Sequence, residues 1–422
     1  MDRVTNNLIR NDFLYTMNRQ QNEMNQVQQE IASQRKSILP EDDPVAVVEI
    51  MSQKSHLSDI ERYERNIDLS KGKLDLTESS VREVNELLQR ARELAIQGSN
   101  GIYKKEDQQK IAVEINQILE QVVQIANSKY KGDSLFGGTK TNEEAFKVTT
   151  GKIINPVTGE MDWGETSITK VDYQGDIGKS YAEVGRGEYL SLNLPGNQAF
   201  WSGNQTLVSG TPGTGFTAGR DQTIRVDGVE IKIKLGDNLK TVADKINASN
   251  INVRAEIDNT SGQNLMILRS TVPHQIWLED INGGTVLKDL GIIDNPNARP
   301  PYNYSSSAAV HSSSVFDVLI DLRDSLYRGD TEKINSSIGS IDQSIDTISR
   351  NTAQIGSIQK RIENTQNRLS AGKLYATEVI NNLEGLDMAE AFSRMKSLET
   401  EYNAALQIGA RIMPKTLLDY LR

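Results

Sequence analysis

No cysteine occurs in the 422 residues, so disulfides, thiol catalysis and cysteine-bound metal are excluded. Histidine is nearly as scarce. His56, His274 and His311 are scattered, with no spacing that would hold zinc. Positive charge is in deficit too: the formal net charge is -10 and the pI is near 5.1. An acidic chain without clustered Lys and Arg is a poor partner for nucleic acid. Aromatic residues make up 5% and hydrophobic residues 37% of the chain, low for a compact globule. Long, thin helical structures with much surface per unit core fit that composition. No apolar run approaches the ~20 residues of a membrane span. The polar stretch 1–11 has no apolar segment of the kind a secretory signal peptide needs. Export by the general secretory route is therefore not expected, while a dedicated machine that reads a polar N-terminus stays open.

What is present is helical periodicity at both ends. Near the N-terminus Leu14, Met17, Gln21, Met24, Gln28 and Ile31 recur at steps of three and four. Near the C-terminus Met388, Ala391, Met395, Leu398, Tyr402, Ala405, Gly409 and Ile412 do the same. Such spacing lines one side of a helix with a period near 3.5. A seam of Gln, Ala, Gly and Met buries little apolar surface, so both ends are expected to meet each other and neighbouring copies. Disorder in the monomer and folding on assembly follow as an expectation. The residues named, apart from the glutamines, form the candidate assembly interface.

Inside these ends the seams are stronger. Residues 38–44 break the first helix; Asp42 and Asp43 precede Pro44, which suits a first helical position, and Asp43 can cap the amides behind it. A second helix follows to Gly98, with a seam from Ile60 through Tyr63, Ile67, Leu74, Val81 and Leu88 to Ala95. After the turn Gly98-Ser99-Asn100-Gly101, a third helix carries Ile111, Ile115, Ile118, Val122 and Ile125 and stops at Gly132; the short connection makes an antiparallel hairpin. Helix returns at Ser314, with Asp317 placed for a capping box. The longest seam follows: Ile334, Ile338, Ile341, Ile345, Ile348, Thr352, Ile355, Gln359, Ile362, Gln366, Leu369. Gly385 ends or bends that helix. Between 142 and 314 the pattern changes to Gly, Thr, Asn and Pro. Residues 223–233 predict a hairpin around Asp227-Gly228, 241–248 a short helix, 251–257 and 265–268 strands, and 198–220 a loop.

The expected fold is mainly α: a long antiparallel helical coiled-coil bundle formed by both chain ends, with an inserted β-rich (α+β) domain. Expected domains are 1–38 plus 386–422, 41–140 plus 315–384, and the insert 141–314. No catalytic constellation emerges. Gly210-Thr211-Pro212-Gly213-Thr214-Gly215 lacks the lysine of a phosphate loop. Capping explains the acidic run at 41–43 better than a cation does. Catalytic, cofactor and metal residues are expected to be absent.

Particular motifs carry a resemblance. Asp42-Asp43-Pro44 opening a helix, and the run Leu87–Gly101 with Gln89, Arg90, Glu93 and Leu94, resemble the bacterial flagellin superfamily. Leu135-Phe136-Gly137-Gly138, Asp387-Met388-Ala389-Glu390-Ala391 and the tail Pro414–Arg422 resemble its hook–filament junction branch, the hook-associated protein 3 type. The resemblance covers about 1–140 and 315–422. It implies an innermost coiled-coil layer from the terminal helices, a second layer from 41–140 and 315–384, and an outward insert. It implies a homo-oligomer in a ring or helical turn between the first hook-associated protein and flagellin. It also implies type III export and a chaperone on the C-terminal helix. Filament flagellin is the nearest alternative. An adhesin-like surface subunit acting through the insert, with Trp163, Trp201 and Tyr302, is the other.

Overall fold

The computed structural model describes residues 2–36, 43–152, 166–259, 262–296, 298–300, 302–311 and 313–412, with the backbone alone at 2–10 and 411–412. The helices are α1 (Asp2–Ser33), α2 (Pro44–Ser99), α3 (Lys105–Ala126), the one-turn α4 (Gly196–Ala199), α5 (Leu239–Ala248), the one-turn α6 (Val286–Asp289), α7 (Val315–Arg328), α8 (Thr331–Glu384) and α9 (Met388–Ile412). Two compact units result: Met1–Arg65 with Thr365–Arg422, and Asn66–Asn364. Their boundaries fall within α2 and α8.

In the terminal unit α1 pairs with α9. Gly409 lies against Phe13 and the Tyr402 hydroxyl donates to Gln21 Oε1 at 2.9 Å; one number rises as the other falls, so the pair is antiparallel. The start of α2 and the end of α8 form a second antiparallel pair, joined by Lys373–Glu64 at 3.0 Å and Lys54–Glu384 at 2.5 Å. Asp43 Oδ1 accepts from Val45 and Ala46 N–H at 3.1 and 2.9 Å, and Pro44 is the first residue of α2. The capping expectation at Asp43 is thus met; Asp42 lies outside the described residues. Asp387 caps α9 through the Ala389 and Glu390 amides.

In the larger unit α2 and α8 continue side by side. The α2 seam positions named from the sequence, Ile60 and Tyr63 in the terminal unit and then Ile67, Leu74, Val81, Leu88 and Ala95, are all buried. On α8 the row Ile334, Ile341, Ile348, Ile355, Ile362 is buried. The residues between them differ from expectation. Ser337, Ser344, Asn351 and Thr365 are the buried ones, and Ile338, Ile345, Thr352, Gln359 and Gln366 are only half-buried. Ser337 and Ser344 donate to carbonyls one turn back in α8, at 2.9 and 2.8 Å; Asn351 Nδ2 donates to Ala199 O at 3.1 Å, and the hydroxyl of Thr347, also buried, lies 3.3 Å from Ser202 O. A buried amide tolerates this position because its hydrogen bonds are made. α3 runs antiparallel to α2, with Arg90–Glu114 at 2.7 Å and Gly98 near Ile111, as the short connection predicts. It ends at Ala126, earlier than Gly132, because a tight hairpin of β1 (Lys129–Tyr130) and β2 (Asp133–Ser134) intervenes. Ser314 and Asp317 form the predicted capping box, and Gly329 closes α7 at φ 75°.

The middle segment is β-rich. β3 (Phe146–Gly151) pairs with β4 (Ser167–Tyr173), and β5 (Tyr181–Gly185) with β6 (Glu188–Ser191). The remaining strands are β7 (Thr206–Val208), β8 (Gln222–Val226), β9 (Val229–Ile233), β10 (Val253–Asp258), β11 (Leu265–Ser270), β12 (Leu278–Ile281) and β13 (Ala309–His311). They form antiparallel sheets in the orders β10-β11-β7-β13 and β12-β8-β9. The β8–β9 hairpin turns at Asp227-Gly228, with φ 47° and 81°, as the sequence predicts. Asn238 caps α5, whose Val242 and Ile246 enter one core with Ile224, Val226, Ile231, Met266 and Leu268. The stretch 198–220, expected as loop, contributes β7 to the interior of a sheet. Three residues among glycines carry too little periodicity to register as a strand.

Candidate assembly interface

The α9 seam is the one predicted. Ala391, Leu398 and Gly409 are buried, and Met388, Met395, Tyr402 and Ala405 are half-buried. Ile412 has no described side chain. Glycine at 409 is required by contact: a methyl group there would stand 2.3 Å from Phe13 Cζ. Small residues let the two helices approach closely, at the expense of buried apolar area.

The α1 seam needs correction. Met17, Met24 and Ile31 are half-buried as expected, but Leu14 is 48% exposed and Gln21 and Gln28 are exposed. Phe13, Gln20 and Val27 stand in their places, with Val27 2% exposed. Met17, Met24 and Ile31 are a heptad apart and belong to two seams at once, one completed by the residues at 13, 20 and 27, the other by 14, 21 and 28. The first faces α9. The polar character survives, since among the described residues the buried Gln20 Oε1 has no hydrogen-bond partner, a cost to the pair.

Beyond that seam the terminal unit leaves large apolar side chains in solvent. On α1 these are Leu14 and Tyr15; on α9 they are Phe392, Leu406 and Ile408, at 56, 46 and 55% exposure. Val45, Val48 and Met51 at the start of α2 and Leu374 and Tyr375 on α8 are exposed as well. Phe392 and Leu406 are two heptads apart, each one position beside a seam residue, the buried Ala391 and the half-buried Ala405. Exposed apolar residues in such number mark a surface meant to be covered.

The family-motif residues have two different settings. On α2 the side chains of Gln89, Arg90 and Glu93 are exposed and tied to neighbours, Gln89 to Asn85 at 2.8 Å and Arg90 to Glu114 and Glu93. The hydrogen bond to Glu114 raises the Arg90 pKa above its ordinary value. Leu94 is buried. Leu135, Phe136, Gly137 and Gly138 are all buried and join the helices to the insert. Phe136 meets Phe200 edge-on at 4.9 Å, and Phe146, Tyr173 and Phe316 complete the cluster. Gly138 sits at φ 72°, where a methyl group would stand 2.2 Å from Asp176 O. The Tyr173 hydroxyl is 2.9 Å from Phe136 O, and burial pushes its pKa up. Arg323, fully buried, spans α3, α7 and β4 through Asn116 Oδ1 at 3.0 Å and Ile168 O at 2.9 Å. Sequence reasoning missed this cluster and Arg323; the aromatic residues lie far apart in the chain and show no shared period.

In the insert His274 Nε2 is 2.7 Å from Asp227 Oδ2 and Nδ1 is 2.9 Å from Val272 O. Both ring nitrogens face oxygen atoms, an arrangement that favours the doubly protonated imidazolium, in which both donate. Burial opposes that charge, but the Asp227 hydrogen bond and charge prevail and raise the His274 pKa above 6.5. A raised folded pKa contributes stability that is complete below the unfolded value and lost as pH rises through the folded one. The melting temperature of the wild-type chain is expected to fall as pH rises from 6 through the folded pKa. In His274→Gln that component is expected to be missing. Parallel pH profiles in calorimetry would refute the assignment.

Comparison with known proteins then gives three matches to family profiles. The bacterial flagellin N-terminal helical region matches residues 4–141, the bacterial flagellin C-terminal helical region 338–421, and the flagellin hook IN motif 215–271. Together they cover more than half of the chain. Flagellin FlaB1 of Treponema pallidum (strain Nichols) is 37% identical over 90 residues, 21% of this chain and 32% of that protein. Flagellar hook-associated protein 3 of Escherichia coli (strain K12) is 24% identical over 127 residues, 30% of this chain and 40% of that protein. The chain thus spans well under half the length of these two relatives. Among solved structures, the flagellar junction protein FlgL from Legionella pneumophila is 17% identical with a TM-score of 0.45, covering 80% of this chain and all of that one.

Proposed function

The chain belongs to the bacterial flagellin superfamily, and from that premise we propose that it is a structural subunit of the hook–filament junction, without catalytic activity. The observation that carries this reading is the terminal unit: a thin, partly polar α1–α9 seam flanked by exposed apolar side chains. Burying Phe392, Leu406, Ile408 and Leu14 needs more helices than one chain provides. Copies of the same chain supply them in a ring or helical turn, with the first hook-associated protein on one side and flagellin on the other.

In this reading segments 1–38 and 386–422 form the inner layer, 41–140 and 315–384 the next, and 141–314 projects outward. Export proceeds through the flagellar type III apparatus, with a chaperone covering the apolar face of α9 beforehand. The motif Leu135–Gly138 favours the junction type. Similarity to FlaB1 favours a filament subunit as the second reading. Deleting the gene separates them: hooks lacking filaments, with flagellin lost to the medium, support the junction. Intact filaments of normal length, or loss of the main filament protein itself, would overturn it.

A further inference from the structure

The insert holds an open cleft of about 620 Å³ beside the β8–β9 hairpin, within the usual range for small-ligand sites. Its charged groups fall into two sets. The carboxylates are engaged. Asp176 accepts from the Thr139 amide at 2.7 Å, the Thr139 hydroxyl at 2.6 Å and the Gly178 amide at 2.9 Å. Glu230 and Glu279 both hold Arg225, at 2.8 and 3.1 Å.

Two cations are not engaged in this way. Arg299 lays its guanidinium over Trp277, 5.5 Å from the ring centroid, and among the described residues its buried Nη2 has no hydrogen-bond partner. Among the described residues it has no ion pair either; against burial, the hydrogen bonds from Thr139 and Gly178, and then the Arg299 charge, hold the Asp176 carboxyl below its ordinary range. Lys140 stands exposed on the same cleft. The cation–π contact with the indole holds the Arg299 charge at the edge of the cleft.

We propose that this cleft binds a sugar acid, a ligand that joins one carboxylate to several hydroxyls. The guanidinium of Arg299 and the ammonium of Lys140 are the two cations that attract a carboxylate to this cleft. The oxygens of Asp176, Glu230 and Glu279 keep lone pairs free and accept from hydroxyls. The same acidic rim disfavours a phosphate group, which brings about two negative charges.

The test is an NMR titration of the full-length monomer with glucuronate, read at the Trp277 indole and assigned with Trp277→Phe. Glucose and inorganic phosphate serve as comparators. A saturable shift with glucuronate is expected, weakened about tenfold by Arg299→Gln, the loss of one charge-assisted contact, and several-fold by Lys140→Gln. Glucose and phosphate are expected to bind more weakly. No saturable shift, or equal saturation by phosphate, overturns the proposal. Unchanged affinity in Lys140→Gln, an exposed position where folding is not at stake, also overturns it.

Discussion

Leu398→Asp is expected to abolish incorporation of the subunit while leaving the larger unit folded. Leu398 is 8% exposed in the α1–α9 seam, where its burial is worth roughly 1.5–3 kcal/mol. The aspartate removes that contribution and adds an unpaired carboxylate, which costs several kcal/mol more on this scale. The seam cannot absorb such a loss. Its other members are Met, Ala, Gly and Tyr, and the opposing helix offers Gln20, whose Oε1 has no hydrogen-bond partner among the described residues. Far-UV circular dichroism of the purified monomer gives the first measure: the cooperative melt of the residues 66–364 unit is expected to persist. Electron microscopy of cells expressing the variant gives the second, with bare hooks as the outcome. Normal motility with attached filaments would sink the idea, and with it the placement of α9 inside the assembled wall.

Phe136→Ala is expected to have the largest effect on stability, a loss of about 3–5 kcal/mol. Phe136 is fully buried, its ring packs on Phe200, and its carbonyl lies next to the Tyr173 hydroxyl. The cavity would open where the helices, β4 and the 195–202 segment converge. Neighbouring rings are locked by one another and by Gly196, where a methyl group would stand 2.6 Å from Tyr173; little collapse is available to refill the space. A fall in melting temperature of roughly 10 °C follows for a unit of this size. Phe136→Leu, which keeps most of the volume, is expected to cost less than half as much. A melting curve unchanged in Phe136→Ala would show that the cluster is not the joint between helices and insert.

Much of the architecture was legible in residue spacing. Pro44 after Asp43, Ser314 with Asp317 and Gly329 marked helix ends by chemistry that acts within a few residues, and each is where the structure has it. Asp227-Gly228 marked its hairpin for the same reason: both residues adopt positive φ. The intrachain α1–α9 seam was legible on α9 and half-legible on α1. Other features were silent. β7, inside the Gly/Thr-rich stretch, is a strand because β11 and β13 pair with it, not because its residues alternate. Arg323 looks like a surface arginine until Asn116 and Ile168 are seen around it.

By itself the sequence determined the periods: the heptad rows Met17–Met24–Ile31 and Ile334–Ile341–Ile348, the caps, and the turn types. All of these depend on interactions within a turn or two of chain. Only the tertiary structure decided which flank of each row turns inward. On α1 it is the flank with Phe13 and Val27 rather than Leu14 and Gln28. On α8 it is the flank with Ser344 and Asn351 rather than Ile345. The reason is geometric. A heptad row of one helix lies between two possible seams, and periodicity weighs them equally. The choice belongs to the partner: Phe13 is inside because Gly409 leaves room for its ring, and Asn351 is inside because the carbonyl of Ala199 accepts its amide.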